Sequence, residues 1–181
     1  MNKPTYFGDL LNLQRILDKA IEKIRNNGFV PRKRNVLDIL LAIDDEFQEW
    51  CRELPQEYNF KTWKQKEYSR EKELEELTDI LFFFLQYCNV AREIEKVSIS
   101  TVFSFSGTEK TEFKSIETSL NYLISKFKFN LWNGTKDFAF YDYMQIVYFR
   151  GFTKEDLLNT YWEKWQKNMT RINKDWILEG K

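Results

Sequence analysis

Apolar residues recur at helical spacing along most of the chain. Leu10, Leu13, Leu17, Ala20, Ile21 and Ile24 fall on one stripe and predict a helix over residues 9–27, with Gly28 as its stop. A basic loop holding Pro31 follows at residues 29–34. From Asn35 the pattern turns helical again. Val36, Leu40, Ile43, Phe47, Trp50 and Leu54 face one way, and Pro55 ends the run. Residues 55–68 read as a loop. Ser69 is a natural N-cap for a third helix reaching about residue 94, with Leu74, Leu77, Leu81, Phe84 and Cys88 on its core side. Residues 80–85 are apolar all round, which sends that helix into a deep interior or an oligomer interface.

Residues 95–113 lose this period. Val, Ile, Thr, Ser and Phe alternate there and Gly107 interrupts, which predicts a linker, a loop insert or a small β-hairpin. A helix is expected from 115 to about 129, carried by Ile116, Leu120, Leu123 and Phe127. Asn133 and Gly134 mark a turn, and Asp137 caps a further helix that ends at Gly151. Thr153 with Asp156 has the form of a capping box and opens the last long helix, on which Leu158, Tyr161, Trp162, Trp165, Met169 and Ile172 pack. The expected architecture is all-α: an antiparallel helical bundle forming a single domain over 1–181, with a variable insert around 95–135.

Composition narrows the function more than the fold. The 181 residues are 43% hydrophobic and 31% charged, which suits one soluble domain with a full core. Aromatics at 17% point to stacking surfaces or a bulky core. The formal net charge is +0, so bulk attraction to nucleic acid or a membrane surface is not expected. Histidine is absent, which excludes histidine triads, histidine bases and most catalytic zinc sites. Acid–base work must then fall to carboxylates, lysine, tyrosine or metal-activated water. The two cysteines, Cys51 and Cys88, lie in helical patterns and read as small core residues of a reducing compartment. No signal peptide or membrane span is expected, and the expected location is cytoplasmic.

The acidic residues are where the pattern departs from plain stability. The second helix carries Asp38, Asp45, Glu46, Glu49 and Glu53, with Arg52 its lone basic residue. Glu46 and Glu49 stand three apart, as do Glu76 and Asp79 on the next helix, so each pair shares a face. Antiparallel packing would converge four carboxylates, which repel unless a cation joins them. A hard divalent ion with oxygen ligands is the natural remedy. The six glycines form no phosphate-cradling loop, so phosphate would be held by metal and side chains. Lys61, Lys64 and Lys66 surround Trp63 between the acidic helices. They read either as a solvated loop with an anchoring indole, or as phosphate contacts beside a stacking ring. Gln14 and Asp18 flank the first stripe, either as ordinary polar neighbours or as readers of a base edge. Lys164, Lys167, Asn168 and Arg171 line the last helix with hydrogen-bond donors.

Five segments, in order, resemble the dimeric all-α dUTPases of the all-α NTP pyrophosphatase superfamily, most of all the form of Gram-positive bacteria and their phages. They are Leu13-Gln14-x-x-Leu17-Asp18, Glu46-x-x-Glu49-Trp50, Phe60-Lys61-x-Trp63-Lys64, Leu74-Glu75-Glu76-x-x-Asp79 and Tyr161-x-x-Lys164-x-x-Lys167-Asn168-x-x-Arg171. The resemblance implies magnesium-dependent hydrolysis of dUTP to dUMP and pyrophosphate by metal-activated water, with attack on the β-phosphorus. Glu46, Glu49, Glu76 and Asp79 would bind Mg2+, more than one ion once substrate is present. Glu46 and Glu49 would be catalytic, with Glu46 orienting or deprotonating the water. Lys61, Lys64, Lys164 and Arg171 would meet phosphate oxygens, and Gln14, Trp63 and Asn168 the base and sugar. A homodimer is implied, with no nucleic-acid or membrane partner. Phe82 and Phe83 stand where many relatives carry histidine, Trp165 where many carry asparagine, and Gly180 is nearly the last residue. These departures bear on base selectivity and on closure over substrate. The competing readings are an all-α pyrophosphatase for another nucleoside triphosphate and a non-enzymatic helical interaction module.

Overall fold

The computed structural model describes residues 1–23, 32–95 and 119–172. Among them lie six helices and no strand: α1 (Phe7–Glu22), α2 (Val36–Glu53), α3 (Arg70–Glu95), α4 (Leu120–Trp132), α5 (Lys136–Phe149) and α6 (Lys154–Arg171). The expected stop at Gly28, the Pro31 loop, the possible hairpin near 95–113 and the helix start at 115 fall wholly or mainly on residues outside this description. None of the described helices is long and apolar enough to cross a membrane.

Most boundaries follow the local code. Asn35 caps α2 by accepting from the Asp38 amide, and Asp38 reaches back to the Asn35 amide. Ser69 accepts from the Lys72 amide at the start of α3. Thr153 and Asp156 form the capping box of α6. The exception is α5, whose N-cap is Thr135 and not Asp137; Asp137 sits in the first turn, where its charge favours the helix N-terminus. The turn before it explains the shift. Gly134 takes φ 75°, the Gly134 amide donates to Leu131 and the Thr135 amide to Asn130, so α4 closes in a left-handed glycine stop directly beside Thr135. The same device ends α5. Gly151 takes φ 75°, its amide donates to Tyr148 and that of Phe152 to Val147, and Phe152 is buried.

α3 runs through the middle of the bundle. Residues 80–85 are buried there apart from the half-exposed Phe83, so the apolar run meets protein and not solvent. α2 packs against α3 in the opposite direction: Arg34 meets Gln86, the Glu46 carboxylate feels that of Asp79, and Trp50 meets Glu73. α1 also opposes α3, with Asn89 donating to the Leu11 carbonyl and Gln86 to Asp18. α6 covers both, with Trp165 and Tyr161 donating to the Leu13 and Leu10 carbonyls. Twelve of the aromatics among the described residues are buried in the core, and ten are exposed. Phe7, Phe140, Tyr143, Phe127, Phe47 and Trp50 form a continuous run of ring contacts, 4.7–6.4 Å between successive centroids, from α1 through α5 and α4 to α2. Each such pair contributes about 0.5–1.5 kcal/mol beyond its buried area.

Candidate metal centre

The acidic face of α2 is compensated across space, and selectively. Arg32 pairs with Asp38, Lys66 with Glu53, and Lys128 with Asp44, which also accepts from the Trp132 indole. Glu46 and Glu49 lie between these pairs, and among the described residues neither has a hydrogen-bond or ion-pair partner; the same is true of Glu76 on α3. These three are the residues whose carboxylate oxygens lie within 4.8 Å of one another. Glu46 and Glu76 are half-buried and Glu49 is exposed.

The electrostatics follow from that geometry. Burial, then the charges of Asp79, Glu49 and Glu76, push the Glu46 carboxyl up to about 7. Burial and the Asp79 charge push Glu76 to about 7 as well. Lys164 opposes both shifts. Lys66 and Lys128 pair with other acids of α2 and not with these carboxylates. Three clustered carboxylates with no ion-pair partner among the described residues match the oxygen donor set of a hard divalent ion.

Asp79 stands beside this cluster in a different state. Its carboxylate pairs with Lys164, whose ammonium also donates to the Glu75 carbonyl at 3.2 Å. Burial raises the Asp79 carboxyl and Lys164 holds that rise in check. The expected four-carboxylate cage is thus three carboxylates close together and a fourth paired with a lysine from α6.

The other residues singled out in the sequence lie at varying depths. Gln14 is buried, donating to Asp18 at 2.8 Å and accepting from the Tyr161 hydroxyl at 3.3 Å; Gln86 donates to the same Asp18 oxygen. Tyr161 lies one turn from Lys164, and Phe82 stacks on it with centroids 4.3 Å apart. Lys61, Trp63 and Lys64 occupy the loop between α2 and α3. That loop is pinned by Asn59, which donates to the Arg52 and Leu54 carbonyls and accepts from the Lys61 amide. Lys61 is half-buried, Lys64 is exposed and the Trp63 indole is 78% exposed. Asn168 and Arg171 are half-exposed in the last turn of α6.

Sequence reasoning missed a second constellation one turn from the carboxylates. Glu73 is fully buried and accepts four hydrogen bonds: Trp50 Nε1 and Arg150 Nε on Oε1, and the Tyr68 hydroxyl and Arg150 Nη2 on Oε2. The available signal was weak. Glu73 lies four before Leu77 on the core side of α3, and an acid at a core position calls for a buried partner.

A family model described as dUTPase matches residues 7–176. No curated protein matches the chain. The match takes in every segment described above, and the helical architecture agrees with it. The chain therefore belongs to the dUTPase family, and is a dUTP diphosphatase.

Proposed function

We propose that this chain hydrolyses dUTP to dUMP and pyrophosphate with Mg2+ held by Glu46, Glu49, Glu76 and Asp79, more than one ion joining when substrate is bound. The carrying observation is the trio of unpaired carboxylates from two antiparallel helices, mutually within 4.8 Å. When bound, the cations neutralise phosphate charge and make water a nucleophile at neutral pH. Glu46 orients the attacking water and takes its proton; its depth between Glu49, Glu76 and Asp79 supports that role over the exposed Glu49, which serves as ligand. Lys164 already stands at the cage. With Asp79 held to a cation, the Lys164 ammonium would meet phosphate oxygens, together with Lys61, Lys64 and Arg171. Trp63 and Asn168 meet base and sugar. Gln14 keeps one amide hydrogen and one carbonyl lone pair beyond its present bonds, a donor–acceptor pair that complements the edge of uracil.

The deciding experiment is pyrophosphate release over dUTP, dCTP, dTTP and UTP, with and without Mg2+. Release from dUTP alone, lost on chelation, is expected. Undiminished release after chelation would remove the metal from the mechanism, and equal rates on all four nucleotides would remove the base assignment. Trp63→Ala should raise KM for dUTP roughly tenfold, the loss of about 1–3 kcal/mol of stacking, without weakening metal binding. An unchanged KM returns Trp63 to an anchoring role.

Protons compete with the cation for these carboxylates. Glu46 and Glu76 sit above their ordinary 4.5, so the metal-free folded chain binds more protons than the unfolded one. Its stability from these groups is full below about 4.5 and is lost as pH rises through about 7. A bound cation needs both groups ionised and removes that loss. The rise in melting temperature on adding Mg2+ should therefore be larger at pH 8 than at pH 6; equal rises at both would contradict the assignment.

A homodimer is part of this reading. Leu37 and Leu41, 54% and 52% exposed, share a stripe of α2 with Asp44, and Trp132 and Phe129 stand exposed on the adjoining α4. Such apolar neighbours suit a subunit interface. A monomer mass by light scattering would refute it.

A further inference from the structure

We infer that Glu73 is a positioning residue for the metal centre, joining the register of the two carboxylate helices to the foot of the lysine loop. It rests on the carboxylate trio being a cation site, as proposed above.

Three acidic side chains face one another across the α2–α3 seam, and without a cation their charges push the helices apart or out of register. Something nearby must hold the seam. Trp50 directly follows Glu49, is fully buried, and donates its indole hydrogen to Glu73 at 3.3 Å. Glu73 lies one turn before Glu76 on the same helix, so this bond fixes how far α2 sits along α3 at the level of the carboxylates. The Arg34–Gln86 bond, 3.1 Å and exposed, lies at the far end of the seam.

The same carboxylate holds the loop. Tyr68, near the loop's end, donates to Glu73 at 2.8 Å. Tyr58, near its beginning, lies under the Arg150 guanidinium, 4.9 Å from ring centroid to Cζ, and against Phe149. Arg150 is fixed in turn by the glycine stop that ends α5 and by its two bonds to Glu73. Lys61, Trp63 and Lys64 therefore project from a loop gripped on both sides by one ion pair. Removing that pair should loosen ligand geometry and loop together, whereas a purely structural pair would affect stability alone.

Three variants separate these cases: the double change Glu73→Gln with Arg150→Met, and the single changes Trp50→Phe and Tyr68→Phe. Mn2+ alone is titrated and free ion read by electron paramagnetic resonance; KM for dUTP and melting temperature are measured beside it. Removing both members of the pair strands no buried charge, so the double variant should melt near wild type. Its Kd for Mn2+ should rise about tenfold, the low end for a group that orients ligands from behind. Trp50→Phe, which keeps the ion pair, should weaken Mn2+ binding in the same direction. Tyr68→Phe should raise KM and leave Mn2+ binding unchanged. Wild-type Mn2+ affinity in both the double variant and Trp50→Phe overturns the register role, and an unchanged KM in Tyr68→Phe overturns the loop role. Failure of the wild-type protein itself to bind Mn2+ would instead overturn the metal reading on which the inference stands.

Discussion

Glu49→Ala should abolish dUTP hydrolysis, lowering kcat/KM at least about a thousandfold, or roughly 4 kcal/mol of transition-state stabilisation, and should leave the helices intact. The two halves of that expectation have separate causes. Glu49 is exposed on α2 and contributes no core area, and alanine is the better helix former, so folding loses little. Its charge raises the cost of ionising Glu46, so the metal-free variant should be as stable as wild type, or slightly more so, at pH 8. Activity fails for the opposite reason: one of three open ligands is gone, and the remaining carboxylates hold a cation loosely and out of place. Single-turnover pyrophosphate release, with circular dichroism on the same sample, checks both halves. Wild-type turnover would take Glu49 out of the mechanism.

Arg150→Met should be the most destabilising single change outside the apolar core, by about 3–5 kcal/mol. The substitution leaves a fully buried Glu73 carboxylate with only the Trp50 and Tyr68 donors. The guanidinium's stack over Tyr58 is lost as well. For a chain of this length that corresponds to a fall in melting temperature of roughly 10 °C. The companion double change, which also neutralises Glu73, should recover most of the fall, because the cost lies in the stranded charge and not in the missing bonds. A single variant that melts within a degree or two of wild type would show that water reaches Glu73 and that the pair is not truly desolvated.

The helices were legible because their signals are local. The stripe from Leu40 to Leu54, the caps at Asn35, Ser69 and Thr153, and the stop at Gly151 each involve residues within a turn or two of one another. The one misplaced cap, Asp137 for Thr135, arose where a left-handed glycine stop set the start of the next helix, a backbone event that polar residue types alone do not reveal. The surplus of aromatics left two meanings open, and packing answered with both: among the described residues twelve are buried in the core and ten, Trp63 among them, stand exposed.

The site was legible in part for the same reason. Spacing three apart put Glu46 with Glu49 and Glu76 with Asp79 on shared faces, and the absence of histidine left acid–base work to carboxylates, lysine, tyrosine or metal-activated water. Which acids remain open was not in the pattern. Asp44 looks no different from Glu46 along the chain, yet Lys128, 84 residues away, neutralises one and not the other. Lys164, 85 residues from Asp79, pairs with the fourth carboxylate, and Arg150, 77 residues from Glu73, makes a core acid tolerable. Helical periodicity repeats every 3.6 residues and can be read from neighbours. Charge pairing depends on distances of a few ångströms between segments far apart in sequence, which are set only when the helices pack.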